Sequence, residues 1–271
     1  MKSSIKLIST LAVSLLALAN NASPAEEKPP RFRALVLAER GDQHEAFVVA
    51  ALDWLKTSAA QEHFACDIFE KPEGFTKEFL AKYQVFIQLN YPPYRWSDEA
   101  KAAFVDYIEQ GRGGWVGLHH ATLLGEFDGY PIWPWFSDFM GGIRFKNYVA
   151  KRASGKVIVE ARDHPCFKGL PASFAIDEEE WYIFNKNPRP NVRVLATVDE
   201  STYQPPTDIK MGDHPVVWTN EKMKARNVYI LMGHHPTLLK NENYTTLLRN
   251  AILWGAGRDS QASLLELKQA K

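Results

Sequence analysis

Residues 114–121 read Gly-Trp-Val-Gly-Leu-His-His-Ala, a short apolar run that changes abruptly into two histidines. The run has the length and composition of a strand buried on both faces, because such a strand shows no polar alternation. A helix is predicted just before it, over 98–110, which Ser97 can cap and Gly111 can end. A helix, a buried strand and then polar residues are typical of a parallel α/β sheet.

The chain before this stretch repeats the same alternation. Strands are predicted at 34–38, 65–69 and 85–89, and helices at 45–58 and 76–83. Right-handed crossovers would join these strands into a mostly parallel sheet flanked by helices.

The second half of the sequence has a different pattern. Residues 132–136, Ile-Trp-Pro-Trp-Phe, and Gly141-Gly142 interrupt any regular period. Later strands, predicted at 157–160, 192–196, 216–219 and 228–232, have no long helices between them, so we expect an antiparallel extension that returns to the main sheet. A closing helix is predicted over 244–256.

The amino terminus reads as a secretory signal peptide. Lys2 and Lys6 precede an apolar run of about 13 residues, which is shorter than the roughly 20 needed to span a bilayer. We predict a signal peptide at 1–25, a linker at 26–31, one domain at 32–258 and a tail at 259–271, with an uncleaved anchor as the alternative. A periplasmic or secreted protein follows, with no membrane association once the signal is removed.

Charge and cysteine content narrow the class of partner. The 32 basic and 32 acidic residues become 30 and 32 without Lys2 and Lys6, a net charge near −2 with no basic block. We therefore expect neither nucleic acid nor anionic membrane as a partner. Cys66 and Cys166 are the two cysteines; whether they pair, and the oligomeric state, stay open.

Histidines lie at or soon after the ends of three of the predicted strands. His44 lies in the turn after the first strand, His119 and His120 follow the fourth, and His234 and His235 follow a late strand. Ligands of open parallel sheets bind at the carboxyl ends of the strands. One histidine at such an end is more often structural than catalytic, but three ends together favour a common site.

Aromatic and amide groups would add substrate contacts to this site. Asn90 and Tyr91 follow the third strand, and with His120, His235 and Trp133 they are the predicted substrate-binding residues. Aromatic faces can stack on sugar rings, and amides and histidines can donate to hydroxyls. Ordinary loop packing, or for Trp133 a place over the core, is the alternative.

The acidic run 177–180 is the remaining source of a catalytic group. Most such runs are solvated surface. In extended geometry Glu178 and Glu180 would share one face, with Asp177, Glu179 and Trp181 on the other. One carboxylate, taken as Glu180, is therefore predicted to point toward the histidines.

The motifs together resemble the trehalose-utilisation (ThuA-like) family over about residues 32–258. The matching stretches are Gly114 to Ala121, Asp163-His164-Pro165, Glu179-Glu180-Trp181-Tyr182, Pro215 to Trp218, Gly233-His234 and Asn250 to Trp254. Each is weak alone, but their order makes the set specific. The resemblance implies a flavodoxin-like, class I glutamine amidotransferase-like fold and a role with trehalose, related glycosides or their 3-keto derivatives.

In the amidotransferases the turn after strand four presents a cysteine, whereas this sequence has His119 at that position. Cys66 and Cys166 lie elsewhere, so thiol-based glutamine hydrolysis is not expected. His235-Pro236 resembles the amidotransferase His-Pro pair, while Gly233-His234 fits the ThuA-like pattern, and His234 is preferred.

The leading hypothesis is a carbohydrate-active enzyme with catalytic residues His44, His119, Glu180 and His234. Glu180 or a histidine would remove a proton next to a ketone, and a second histidine would protonate the leaving oxygen, giving elimination or isomerisation. His44, His119 and His234 would suit Zn²⁺ or a similar divalent ion, although their spacing matches no short metal motif. No nucleotide cofactor is expected, and the partner would be a small saccharide.

Two alternatives belong to other classes. The first is a non-catalytic sugar-binding protein that keeps the cleft. The second, hydrolysis by two carboxylates, needs an acid opposite Glu180, for which Asp128, Asp138, Asp163 and Asp213 cannot be ranked from the sequence.

Overall fold

The structure, a computed structural model, describes residues 29–41, 43–126 and 130–257. The predicted signal peptide at 1–25, most of the linker and the tail at 259–271 lie outside these ranges, so they stay predictions. In the described ranges, none of the helices has the length and apolar character needed to cross a membrane.

Strands and helices alternate in the first half of the chain, and strands dominate the second. The strands are β1 Arg33–Leu37, β2 Ala65–Phe69, β3 Val85–Gln88, β4 Gly114–Leu118, β5 Phe145–Tyr148, β6 Ala153–Val159, β7 Ser173–Glu179, β8 Tyr182–Phe184, β9 Arg193–Gln204, β10 Pro215–Thr219 and β11 Asn227–Ile230. The helices are α1 Glu45–Glu62, α2 Lys77–Leu80, α3 Asp98–Glu109, α4 Pro134–Phe139 and α5 Glu242–Gly255.

Nine strands form one sheet in the order β2-β1-β3-β4-β11-β10-β9-β6-β7. The first five of this order pair in parallel and make up what we call the parallel half. Strands β1, β3, β4 and β11 are almost wholly buried, as the continuous apolar runs predicted. Their carboxyl ends therefore lie along one edge of the sheet.

The other four strands, β10, β9, β6 and β7, pair antiparallel and make up the antiparallel half. β5 and β8 form a separate antiparallel pair. The predicted fold class, a mostly parallel sheet flanked by helices with an antiparallel extension, is confirmed.

Most local signals were interpreted correctly. Ser97 caps α3 by accepting from the Ala100 N–H at 3.2 Å, and Gly111 adopts a φ of +66° just beyond the helix. The stretch around Trp133, which shows no regular sequence period, contains the short helix α4. This helix has Pro134 in its first turn and buries Phe136 and Phe139.

The antiparallel half was only partly predicted. β5, β7 and β8 were missed, and β9 extends to Gln204, well beyond the predicted 192–196. Cys66 and Cys166 are both free.

Candidate functional site

The three strand-end histidines and one glutamate meet in a single cluster. His44, His119, Glu180 and His234 each offer one ligand atom, and these four atoms all lie within 4.8 Å of one another. His44 and His119 are buried and the other two are nearly so. The predicted common site is therefore present in the geometry, with the same four residues. We call it the His/Glu cluster.

Backbone geometry places His119 at the centre of the cluster. His119 opens the 3₁₀ turn His119–Thr122 directly after β4 and has a φ of +35°, unusual for a residue with a side chain. Gly233, after β11, makes room for it: a Cβ on Gly233 would lie 2.6 Å from the His119 Cβ. The neighbouring strand end can thus approach the turn only without a side chain at residue 233.

Glu180 reaches the cluster through an irregularity in β7, and the predicted alternation of the acidic run is wrong. Glu178 has a φ of +51°, and the pairing of β6 with β7 shifts between Ala153 and Gly155, which gives β7 one extra residue. Glu178 is therefore exposed, whereas Glu179 and Glu180 are both buried. Strict alternation of side chains along a strand cannot predict the burial of both Glu179 and Glu180, because the bulge adds one residue to β7.

The cluster places the Glu180 carboxylate among three imidazole rings. Glu180 Oε2 lies 3.4 Å from His119 Nε2, 3.2 Å from His234 Nδ1 and 3.8 Å from His44 Nε2. Burial raises the pKa of Glu180, but its contacts with the three histidines outweigh burial and hold the pKa below its ordinary value. Burial lowers the pKa of His119 to about 4, which keeps this ring neutral near pH 7.

An unpartnered nitrogen makes the cluster fit a cation. His119 Nδ1 lies 2.7 Å from the Leu231 carbonyl oxygen, which can only accept, so the neutral ring carries its proton on Nδ1. Its Nε2 is then a lone pair, buried without a hydrogen-bond partner, that faces the Glu180 carboxylate. A proton on Nε2 or a cation between the two groups would stabilise this contact, and the cluster could hold a metal ion in that place.

The spacing of the donors agrees with this interpretation. His234 Nδ1 lies 3.0 Å from His44 Nε2, so this separation and the three from Glu180 run from 3.0 to 3.8 Å. Nitrogen and oxygen ligands at about 2.0–2.1 Å from a tetrahedral Zn²⁺ lie about 3.3–3.4 Å apart. Across all four residues the ligand atoms lie within 4.8 Å of one another, so the most widely separated of them would have to approach each other to bind such an ion.

Glu179 is a site residue to which sequence reasoning gave no role. Its fully buried carboxylate accepts from the backbone N–H groups of Glu180 at 2.8 Å, Gly233 at 3.1 Å and His234 at 3.3 Å. Burial raises the pKa of Glu179 to about 7. It joins the turn after β11 to the segment that carries Glu180. Its place in the Glu-Glu-Trp-Tyr motif was the only signal for it.

Three of the predicted substrate-binding residues lie behind the cluster. The His120 ring packs 4.3 Å from that of His44, and its Nδ1 lies 2.7 Å from Asn90 Oδ1. The Tyr91 ring lies 4.9 Å from that of His120. Asn90 and His120 are buried and hydrogen-bonded to each other, so they support the cluster from behind.

The cluster opens to solvent through a cavity of about 390 Å³. Glu180, His234 and His235 line it, together with Gln43, Tyr148 and Arg152. His235 Nδ1 is engaged with the Thr237 hydroxyl at 2.8 Å. His234 thus belongs to the cluster itself, and His235 to the wall of the cavity in front of it.

Trp133 is placed elsewhere. Its ring stacks on those of Trp135 at 5.2 Å and Phe136 at 5.9 Å, with the Lys101 ammonium 5.8 Å from its centroid. It does not line the cavity at the cluster. Trp133 precedes α4 and packs on the aromatic residues of the core, and its role in substrate binding stays a prediction.

Neither cysteine is part of the cluster. Cys66 lies in β2, and Cys166 lies in the 3₁₀ turn Pro165–Phe167. Burial raises the pKa of the Cys66 thiol to about 12 and that of Cys166 above its usual range, so both thiols stay protonated. The position after β4, where an amidotransferase has its nucleophile, is occupied by His119.

A mostly parallel sheet with an antiparallel extension defines an amidotransferase-like fold, in which His119 follows β4. The sequence profile of the family described as trehalose utilisation (ThuA) matches residues 33–255. The chain belongs to this family, as the motifs indicated.

Solved structures agree with this assignment. A protein from Bacteroides uniformis described as ThuA-like is 31% identical, with a TM-score of 0.75 over 88% of this chain and 97% of that one. A second ThuA-like protein, from Parabacteroides merdae, is 21% identical, with a TM-score of 0.67 over 86% of this chain and 92% of that one.

The amidotransferase likeness concerns the fold. A protein from Thermoplasma acidophilum that is described as part of a GMP synthase is 12% identical, with a TM-score of 0.52 over 88% of this chain and 98% of that one. Among curated proteins, the comparison found no match.

Proposed function

We propose that this chain is an exported enzyme that processes a disaccharide or glycoside, or its 3-keto derivative, by elimination or isomerisation. Membership of the trehalose-utilisation family supports the carbohydrate class of the substrate. The observation that carries the reaction class is the His/Glu cluster, four side chains that could hold a metal ion, of which Glu180 and His234 line an open cavity.

In this proposal His44, His119, Glu180 and His234 hold a divalent ion such as Zn²⁺. When bound, the ion would act as a Lewis acid for the negative charge that develops on a sugar ketone. The donor set of three imidazoles and one carboxylate suits such an ion. A ligand carboxylate is not free to take a proton, so the ligand role would remove Glu180 from proton transfer.

Proton transfer then belongs to histidines outside the ligand set. His235 lines the cavity, and to act as a base through Nε2 it must carry its ring proton on Nδ1 and donate it to the Thr237 hydroxyl at 2.8 Å, in competition with the Thr237 backbone N–H, which reaches the same nitrogen at 3.4 Å. Burial lowers the pKa of His235, so the neutral ring is favoured as a base at neutral pH. We assign to His235 the removal of the proton next to the ketone, or its return to the leaving oxygen.

Hydrolysis by two carboxylates has less support. Asp163 pairs with Arg193 at 3.5 Å and Asp213 with Arg189 at 2.7 Å, both away from the cluster. Asp128 lies outside the described residues. Among the carboxylates that the structure describes, Glu179 is the one beside Glu180, and backbone N–H groups occupy it.

Two measurements on the purified protein test the proposal. Elemental analysis before and after chelator treatment should give about one divalent ion per chain before treatment and none after it. Product analysis with trehalose, sucrose and their 3-keto forms should show turnover of the keto forms alone, lost with the metal.

The other outcomes separate the alternatives. Turnover of the unoxidised sugars would favour hydrolysis, and saturable binding without any turnover would favour the sugar-binding protein. Full activity in protein free of metal would contradict the role of the ion.

A further inference from the structure

A second cavity lies beside the His/Glu cluster and has no place in the proposed reaction. Its volume is about 260 Å³, and Glu39, Tyr91, Tyr94, Arg95 and Tyr130 are among its lining residues. We call it the tyrosine cavity. This volume is below the range of about 300–1,000 Å³ typical of drug-sized ligands, so it fits one small ring.

A short wall separates the two sites. Asn90 donates from Nδ2 to the Glu39 carbonyl at 3.1 Å, and its Oδ1 meets His120 Nδ1 at 2.7 Å. Tyr91 contacts the His120 ring and also lines the tyrosine cavity. The cavity at the cluster shares no lining residue with the tyrosine cavity, so the two are separate spaces.

The lining of the tyrosine cavity carries side chains of both signs. Its lining contains three acids and three bases, namely Glu39, Glu70, Glu73, Arg40, Lys71 and Arg95. Arg40 pairs with Glu70 at 3.1 Å, and the Arg95 guanidinium lies over the Tyr130 ring at 5.4 Å. A site with such a lining favours a neutral, polar ligand over an ion.

A buried carboxyl oxygen in the lining needs a partner. Glu39 Oε2 is buried and makes no hydrogen bond to the described protein atoms. Burial raises the pKa of Glu39 to about 7, although the nearby Trp96 side chain partly offsets this effect. The group is therefore largely uncharged below neutral pH and can both donate and accept. Because Oε2 itself is buried, a ligand hydroxyl in the cavity could meet this group only at its other oxygen, Oε1, where it can both donate and accept.

Aromatic rings supply the apolar part of the lining. The rings of Tyr94 and Tyr130 stack at 5.9 Å with an angle of 14° between their planes, and Tyr94 donates to the Leu123 carbonyl. Ring surfaces next to a neutral carboxyl match a ligand with C–H faces and hydroxyl edges.

We propose that the tyrosine cavity is a second ligand site, which binds one neutral sugar ring independently of the His/Glu cluster. It does not rest on the proposed reaction, because a sugar without a ketone would bind there and remain unchanged.

Binding of methyl α-D-glucopyranoside, measured by calorimetry and by saturation transfer from the aromatic protons, tests this inference on the full chain. We expect saturable binding by the wild type. Tyr130→Ala and Glu39→Leu should each weaken it at least about tenfold, the first by removing a ring and the second by removing a hydrogen-bonding group of similar size.

Two matched variants complete the design. Glu39→Gln keeps a neutral donor and acceptor and should retain binding, and His234→Ala should leave it unchanged because it alters the cluster alone. Thermal unfolding checks each variant. If Tyr130→Ala fails to fold, the comparison of Glu39→Leu with Glu39→Gln decides.

The inference fails if the wild type shows no saturable binding. It also fails if His234→Ala abolishes binding while the Glu39 variants retain it, because the sugar then sits at the cluster. Failure of the proposed reaction leaves this result untouched, because no turnover is measured.

Discussion

The two halves of the sheet contribute different chemistry to one cluster. The parallel half supplies His44, His119 and His234 from the ends of β1, β4 and β11. The antiparallel half supplies Glu180, from the segment between β7 and β8. Parallel strands bring their carboxyl ends to one edge by topology alone, whereas the antiparallel half needs a bulge to aim its carboxylate.

Two contacts hold the halves in register at the cluster. Glu179 accepts from the Gly233 and His234 N–H groups at the end of the parallel half. The Tyr182 ring packs 4.2 Å from that of His119, and the Tyr182 carbonyl accepts from His214 Nε2 at 3.0 Å. We call the region where the two halves meet the seam. The positions of the cluster residues therefore depend on the contacts across the seam as much as on either half.

Removing one ligand from each half should give the largest effect. His119→Ala and Glu180→Ala should each weaken Zn²⁺ binding at least about 100-fold, more than the 10–100-fold that loss of a supporting partner costs. Competition with a chelating fluorophore measures this. His63→Asn is the control, because His63 is an exposed histidine with a φ of 56°, which asparagine tolerates. Unchanged affinity in Glu180→Ala would confine the site to the parallel half.

Breaking the seam should have the next largest effect. Glu179→Gln puts an amide N–H₂ where a carboxylate oxygen accepts from the backbone, so we expect a loss of about 1–3 kcal/mol in the free energy of unfolding. Affinity for Zn²⁺ should fall about 10–100-fold. Urea unfolding and metal competition measure the two, with the exposed neighbour variant Glu178→Gln as control. A stable Glu179→Gln with normal metal affinity would show that the halves align without this contact.

The sequence allowed the parallel half to be predicted more fully than the antiparallel one. Strands β1, β3 and β4 have continuous apolar runs, and histidines follow β4 directly and lie in the turn after β1. The extra residue in β7 cannot be recognised in the sequence, because Glu178, Glu179 and Glu180 are chemically alike. The positive φ of Glu178 decides which of these side chains point inward, and the sequence does not show it. The short helix α4 after Trp133 was not predicted, because six residues are too few to show a helical period.

Crowding between two strand ends should have a smaller effect. Gly233→Ala places a Cβ 2.6 Å from the His119 Cβ, so the turn must shift, at about 1–3 kcal/mol. Weaker metal binding should accompany it, because His119 moves. Gly212→Ala, with a φ of +86° and no atom within 4 Å of the added Cβ, should cost about 1 kcal/mol of backbone strain and leave metal affinity unchanged. Equal metal affinities in both variants would contradict the steric role of Gly233.

The smallest expected effect comes from His164, far along the seam. Its ring packs 4.5 Å from Trp254 of α5, and its Nδ1 accepts from the Cys166 N–H at 3.3 Å. Burial lowers the pKa of His164 from 6.5 to about 4. Between pH 6.5 and 4, His164 is therefore protonated in the unfolded chain but neutral in the folded protein. The stability that the neutral ring provides is present above pH 6.5 and is lost as the pH falls to 4.

His164→Asn keeps the side-chain acceptor at the start of the Pro165–Phe167 turn and removes the titrating ring. Between pH 6.5 and 4, the wild type should therefore lose about 1 kcal/mol more unfolding free energy than the variant. Urea unfolding at closely spaced pH values measures the difference, in which the titration of groups common to both proteins cancels. If the unfolding free energies of the two proteins changed in parallel with pH, the His164 ring would be exposed to solvent. The antiparallel half would then pack against α5 without burying this ring.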